Sequence, residues 1–338
     1  MTGLLLINLG TPESTSKKDV KNYLEEFLMD ERVIDIDYWK RWLLIKGIVL
    51  NNRPAKSAEA YKKVWTKEGS PLMVHSVNLA RKVQEHLGEE IYVSLAMRYG
   101  NPSISHTIKD LKEKGITKLV VLPLYPQHAM SSTETVVEKV KEEVQKQNAT
   151  WEMKIIPAFY NEERYIKNLS DSIAREINIT DYDKIVFSYH GIPERQVLKT
   201  DTTKSHCKID GSCCNTPSPA HKTCYRHQSF ETTKCVVNQL NWKEDQVINT
   251  FQSRLGRAEW LKPYNALTLG ELPSKGVKKI AVVMPAFVAD CLETLEEMRM
   301  EGKEIFLGAG GERFDVVTCL NDDDNWAKTI SEWAKEAF

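Results

Sequence analysis

No apolar run in this sequence approaches the length of a membrane span. The longest, Leu119 to Tyr125 and Ile280 to Ala289, fall far short of the roughly 18 to 20 residues required, and each contains a proline. Nor is there an excess of charge of either sign: 46 Lys and Arg face 47 Asp and Glu, a net charge of -1. A chain so balanced has no global basic field to gather nucleic acid. A basic leader and a small-residue cleavage site are missing ahead of the strand-like run Leu4 to Leu9, so a cytosolic chain is expected. A paired cysteine framework is missing too. Seven is an odd number, and without an export signal disulfides are not expected. What is present is a chain of 338 residues, long enough for two domains of ordinary size with a core each.

The sequence is written twice. An apolar run followed by Gly-x-Pro-Glu occurs at Leu4 to Glu13 (LLLINLGTPE) and again at Ile185 to Glu194 (IVFSYHGIPE). Arg98-Tyr99-Gly100 is matched by Arg254-Leu255-Gly256, and DLKEKG before ITKLVVLPLY parallels ELPSKG before VKKIAVVMPAF. Three landmarks in one order predict two copies of one unit. Short Val, Ile and Leu-rich runs alternate with charged helical patterns such as Thr133 to Lys146, whose Val136, Val137, Val140 and Val144 mark one face. That alternation predicts an α/β protein with parallel sheets covered on both faces.

Ligands of such sheets bind beyond the carboxyl ends of strands, here where the two halves would face each other. The suspects are therefore Asn8 to Glu13, Arg98-Tyr99, Tyr125-Pro126-Gln127, Ser188 to Arg195, Gln252 to Arg254 and Phe287 to Glu293. His190 stands out, between an apolar run and a Gly-x-Pro turn; imidazole ordinarily titrates near neutral pH and suits a proton acceptor. Glu293, Glu297 and Glu301 recur every four residues, which on a helix makes one acidic stripe. A solvated face is the plain reading. Like charges at that spacing disfavour a helix slightly, however, and a carboxylate ladder leading to a strand end suits a path for a divalent cation.

Two further segments are distinctive. Cys207, Cys213, Cys214 and Cys224 fall within SHCKIDGSCCNTPSPAHKTCY, whereas Cys235, Cys291 and Cys319 are scattered. Four thiolates on a turn-rich loop suit a 2Fe-2S cluster or a tetrahedral zinc, and His206, His221 and His227 keep a mixed-ligand zinc site open. The segment Tyr38 to Ile45 (YWKRWLLI) reads either as a core helix or as an apolar lip over a large flat ligand, touching a membrane surface through Trp39 and Trp42.

Taken together, SYHGIPER, FQSRLGRAEWLKPY, PAFVADCLETLEE, NLGTPES, AMRYGNPS, LPLYPQ and KSAEAYKKVW with EGSPL resemble the ferrochelatase family, from about Leu4 to beyond Glu301 and in family order. The resemblance implies two similar Rossmann-like, chelatase-type domains, each a parallel four-stranded sheet flanked by helices. We expect them at 1–160 and 161–319, with a helix at about 320–338 packing back on the first and a cysteine insert at 205–226. It implies insertion of Fe²⁺, the substrate metal, into protoporphyrin IX to form haem b. A coproporphyrin enzyme and a non-catalytic porphyrin carrier are the alternatives. By resemblance His190 and Glu293 face the macrocycle, with Glu297 and Glu301 behind Glu293 on the iron path. Arg98, Tyr99, Tyr125 and Trp260 line the porphyrin cleft, and Arg53 and Ser70 meet its propionates. Animal members hold a 2Fe-2S cluster with three cysteines of a C-terminal extension and one after the YPQ motif, and both are missing here. The insert resembles that of bacterial members, with Cys207, Cys213, Cys214 and Cys224 as ligands.

Overall fold

The computed structural model describes residues 1–254, 256 and 258–338; Leu255 and Arg257, within two of the motifs above, lie outside the described residues. The chain divides into two compact units. The first comprises Met1–Leu124, Met130–Pro157 and Asn321–Phe338, and the second Tyr125–Ala129 and Ala158–Leu320.

In the first unit, β1 (Thr2–Gly10), β2 (Ile91–Tyr99), β3 (Lys118–Pro123) and β4 (Glu152–Ile155) form a parallel sheet in the order β2-β1-β3-β4. Leu4, Leu5, Leu6 and Ile7 are all fully buried, as an unbroken apolar run requires when helices cover both faces of an inner strand. Along the helix Thr135–Lys146, Val136 and Val140 are buried and Val137 and Val144 half-buried; one π-type stretch, Met130–Glu134, precedes it. The final helix, Asp324–Glu336, packs on Pro71–Leu87, where His75 Nδ1 meets Asp322 Oδ1 at 3.0 Å.

The second unit repeats the plan. β5 (Lys184–His190), β6 (Val247–Gln252), β7 (Lys279–Val283) and β8 (Arg313–Val316) are parallel, in the order β6-β5-β7-β8. Val186, Ile280, Val282, Met298, Phe306 and Phe314 share its core. The repeated Gly-x-Pro-Glu pattern has one physical cause in both units. A Cβ on Gly10, whose φ is 110°, would lie 1.8 Å from the Tyr99 carbonyl oxygen, and a Cβ on Gly191 would lie 2.6 Å from that of Gln252. Each glycine lets the chain leave its strand against the end of the neighbouring one.

The segment Tyr38 to Ile45 is not a core helix. It forms a short helix, Tyr38–Trp42, that runs into a π-type helix, Leu43–Val49, with Trp39 73% and Leu43 61% exposed. Ile45 is buried, and so is Arg41, whose Nη1 donates to the carbonyls of Ile34 and Ile36 at 3.1 and 2.9 Å. The fold therefore leaves an apolar surface patch at this point. Among the described residues no helix is long and apolar enough to cross a membrane.

Candidate functional site

His190 is the last residue of β5, in register with Gln252 of β6. Its Nδ1 lies 2.7 Å from the Gly191 carbonyl oxygen. A carbonyl only accepts, so Nδ1 carries the hydrogen and the neutral ring keeps its lone pair on Nε2. Tyr225 steadies the backbone by donating its hydroxyl to the His190 carbonyl at 2.8 Å. The rings of Trp260 and Phe287 stand 6.4 and 6.2 Å from the imidazole, and the Trp260 indole N–H is buried with no acceptor among the described residues.

The glutamate stripe lies on Glu293–Gly302, and that segment is a π-helix rather than the α-helix expected from the spacing. Its turns close i to i+5, a widening found often at functional sites, and a four-residue charge repeat does not distinguish the two. Burial falls along the stripe: Glu293 and Glu297 are half-buried and Glu301 is exposed. Gln252 Nε2 donates at 3.2 Å to Glu297 Oε2 and to the Glu293 carbonyl. Ser188 donates to Gln252 Oε1 at 2.9 Å, which turns that amide so its NH₂ faces the helix. The Ser253 hydroxyl also donates to Glu297 Oε2, leaving Oε1 without a protein donor among the described residues. Burial raises the Glu297 carboxyl above its ordinary range. Ser253 and His190 pull it down and Glu293 pushes it up, and the net shift is upward. Beside Glu293, burial keeps the Cys291 thiol protonated, and the Glu293 carboxylate acts the same way, so the thiol is a donor to it. Gln252, Ser253 and Ser188 lie in the strand-end stretches marked in the sequence, yet only their side-chain directions reveal what they hold.

Trp260 thus neighbours His190, while Glu293 and Glu297 share Gln252. Tyr125 is half-buried and belongs to the same unit. Arg53, Ser70, Arg98 and Tyr99 belong to the first unit. Arg53 is exposed on the helix Leu50–Val64. Ser70 is buried ahead of the helix Pro71–Leu87, accepting from Thr11 Oγ1 at 2.8 Å. Tyr99, expected to line a cleft, is turned inward within its own unit. Tyr99 has no exposure; its hydroxyl donates to Asp30 Oδ2 at 2.9 Å and its ring packs edge-on against Phe27. Arg98 turns to the same carboxylate, pairing with Asp30 and donating from Nε to Thr135 Oγ1 at 2.8 Å. Burial would raise the Asp30 carboxyl, but hydrogen bonds from Thr135, the Arg32 N–H and Tyr99, with the Arg98 charge, hold it below its ordinary value.

In the cysteine insert, two 3₁₀ turns, Ser212–Asn215 and Pro219–Lys222, lead to Cys224 at the start of the helix Tyr225–Gln239. Cys213, Cys214 and Cys224 are buried and Cys207 half-buried. Hydrogen bonding to Cys224, then burial, raises the Cys214 thiol; burial raises that of Cys207, against a lowering contact with Cys224. Cys224 thus lies beside both Cys214 and Cys207. The fourth, Cys213 Sγ, accepts the Lys208 N–H at 3.2 Å, and buried Arg226 directs Nε at Cys214 Sγ at 3.3 Å. Asp201 ties the loop by accepting the N–H groups of Cys207 and His206 at 2.8 and 2.9 Å. His206 Nε2 lies 3.3 Å from His221 Nε2, and His221 stacks on His227 with ring centres 3.5 Å apart. Among the described residues, no three His, Cys, Asp or Glu side chains gather round a point that a single ion could occupy. Thiols in contact, with an N–H and a buried guanidinium directed at sulfur, are a donor set that fits a sulfur-ligated group carrying negative charge.

Comparison with known proteins accords with this geometry. The ferrochelatase family profile matches residues 1–338. A ferrochelatase of Opitutus terrae is 44% identical over 335 residues, covering 98% of this chain and 97% of the relative. Ferrochelatases of Pseudomonas syringae pv. tomato and Coxiella burnetii strain Dugway are 42% and 41% identical, each covering 99% of this chain and 97% and 94% of their own. Among solved structures, the sirohydrochlorin chelatase SirB from Bacillus subtilis subspecies spizizenii in complex with cobalt matches with a TM-score of 0.56 at 9% identity, covering 100% of this chain and 95% of that one. SirB from Bacillus subtilis with Fe3+ matches with a TM-score of 0.53, again at 9% identity, covering 100% and 96%. Those structural likenesses speak for the fold, a chelatase-type pair of parallel sheets. The full-length sequence matches speak for more: this chain belongs to the ferrochelatase family.

Proposed function

We infer that the protein is an enzyme that inserts Fe²⁺ into protoporphyrin IX, releasing two protons and forming haem b. The observation that carries the reading is His190: a strand-end imidazole with its Nε2 lone pair free, in one unit with the glutamates of a π-helix. Metallation must strip water from the ion and take a proton from each of two pyrrole N–H groups. His190 Nε2 is the acceptor, and its Nδ1–H bond to the Gly191 carbonyl strengthens as the ring becomes cationic. Glu297, its carboxyl raised by burial, is suited to take a proton in turn. Glu301, Glu297 and Glu293 offer oxygen ligands to the arriving ion from solvent inward, and the same row can return protons outward. Trp260 and Phe287 supply apolar surface for the macrocycle beside His190. Arg53 and Ser70 are the propionate partners by family resemblance, with Tyr125 beside the ring.

Cys207, Cys213, Cys214 and Cys224 are proposed to hold a 2Fe-2S cluster, with zinc as the alternative. Bound there, the cluster would supply one-electron chemistry, and either group would tie the loop together. Lys208 N–H and Arg226 would offset its negative charge. We place the enzyme in the cytosol, with Trp39 and Trp42 meeting a membrane surface peripherally.

Anaerobic assay of purified protein with Fe²⁺ and either protoporphyrin IX or coproporphyrin tests the main reading. Haem should form, with protoporphyrin IX turned over at least as fast as coproporphyrin. Faster turnover of coproporphyrin reassigns the substrate, and tight porphyrin binding without metallation makes the protein a carrier.

A further inference from the structure

Beside the edge strand β8 lies a cavity of about 460 Å³ that the metallation site does not use. Five charged side chains line it: Glu176, Asp315, Arg299, Lys303 and Arg313. Both acids are already engaged. Asp315 Oδ2 receives the Tyr182 hydroxyl at 2.7 Å and Arg313 Nε at 2.6 Å. The Glu176 oxygens receive the Thr318 N–H at 3.2 and 3.1 Å, and its Oε2 the Thr318 hydroxyl at 3.2 Å.

Two cations are left over. Arg299 makes one hydrogen bond among the described residues, from Nη2 to Thr318 Oγ1 at 3.0 Å, and its Nε is buried with no acceptor. A buried donor left unpaired is costly, and an acceptor entering the cavity would relieve that cost. Lys303 is exposed and has neither an ion-pair nor a hydrogen-bond partner among the described residues. The two stand four residues apart where the π-helix Glu293–Gly302 passes into the helix Lys303–Gly308, and both line the cavity.

We propose that this cavity binds a phosphate group, free or carried on a small ester, between the Arg299 guanidinium and the Lys303 ammonium. Three cations against two carboxylates leave the lining with one net positive charge. Arg299 and Lys303 have no carboxylate paired to them among the described residues, and phosphate oxygens suit a planar guanidinium fork. The volume exceeds that of the phosphate alone, leaving Ile177, Phe314 and Val316 to pack against an ester's body. Because Arg299 and Glu297 belong to one π-helix, an anion held there also anchors the segment that presents the glutamates. The site does not depend on the metallation reading.

Titration calorimetry at fixed ionic strength tests it on the full chain, with inorganic phosphate and glycerol 3-phosphate as probes. Saturable binding is expected, with a Kd below about 1 mM for at least one probe. Arg299→Gln and Lys303→Gln should each weaken it roughly tenfold or more, while Lys335→Gln on the last helix leaves it unchanged. Tighter binding of glycerol 3-phosphate assigns the cavity to an ester, and equal binding to the free ion. Lys303 is exposed, so its variant keeps the test valid even if Arg299→Gln misfolds. No saturable binding of either probe, or wild-type affinity in Lys303→Gln, overturns the proposal.

Discussion

Ser253 donates its hydroxyl to Oε2 of Glu297 from a backbone in the left-handed region, at φ 66°. A serine held there costs on the order of 1–3 kcal/mol and persists where its surroundings demand it. The demand here is a half-buried carboxylate: among the described residues, Ser253 and Gln252 are the donors to it.

The pH dependence of stability follows from that burial. The folded Glu297 carboxyl lies above its ordinary 4.5, so its ionisation costs stability; the cost is absent below that pH and complete once pH passes the folded value. Glu297→Gln should therefore melt at a higher temperature than wild type at neutral pH, and the two curves should converge in acid. Ser253→Ala removes a donor to the ionised form and should raise the acid limb of the pH–rate profile; an unmoved limb means Glu297 is not the group titrating there.

His190→Ala should lose about 10²-fold or more in kcat, the scale of a lost general base, without a change in melting temperature. Added imidazole should restore part of the rate. Near-normal turnover in this variant would remove His190 from the proton path.

Protein purified anaerobically should be brown and contain iron and inorganic sulfide. Replacing Cys207, Cys214 or Cys224 with serine should bleach it and lower the melting temperature, because a loop of turns loses its tie. A colourless wild-type protein with stoichiometric zinc would favour the alternative metal.

Arg98→Ala strands the Asp30 carboxylate among Tyr99 and Thr135. Breaking such a largely covered pair costs about 3–5 kcal/mol, so the melting temperature should drop by many degrees. The KM for porphyrin should stay close to wild type, and a large rise in KM with unchanged stability would return Arg98 to the binding surface.

The patch around Trp39, Leu43 and Ile48 should bind lipid. Cosedimentation with vesicles containing anionic phospholipid is expected for wild type and should fall sharply in Trp39→Ser/Trp42→Ser with no loss of stability. Equal pelleting of both proteins argues against this surface.

Much of the architecture is legible in the chain because the two patterns that define it are local. Apolar runs of strand length alternate with amphipathic helices, and Gly10 and Gly191 recur because each meets the carbonyl end of a neighbouring strand. The strand-end rule also brings attention to His190, Gln252 and Glu293, since a parallel sheet exposes its ends whatever the rest of the fold does. Direction and exposure are different. Whether Arg98 and Tyr99 face a ligand or Asp30 depends on a carboxylate 68 and 69 residues away in sequence. Whether Tyr38 to Ile45 is core or surface depends on what packs over it, and a four-residue charge repeat does not distinguish a π-helix from an α-helix. By itself the sequence determined the residue types, their order and the sheet-forming periodicity. Only the tertiary structure decided which of those side chains are spent on one another, because hydrogen bonds between distant residues form in space and leave no spacing in the chain.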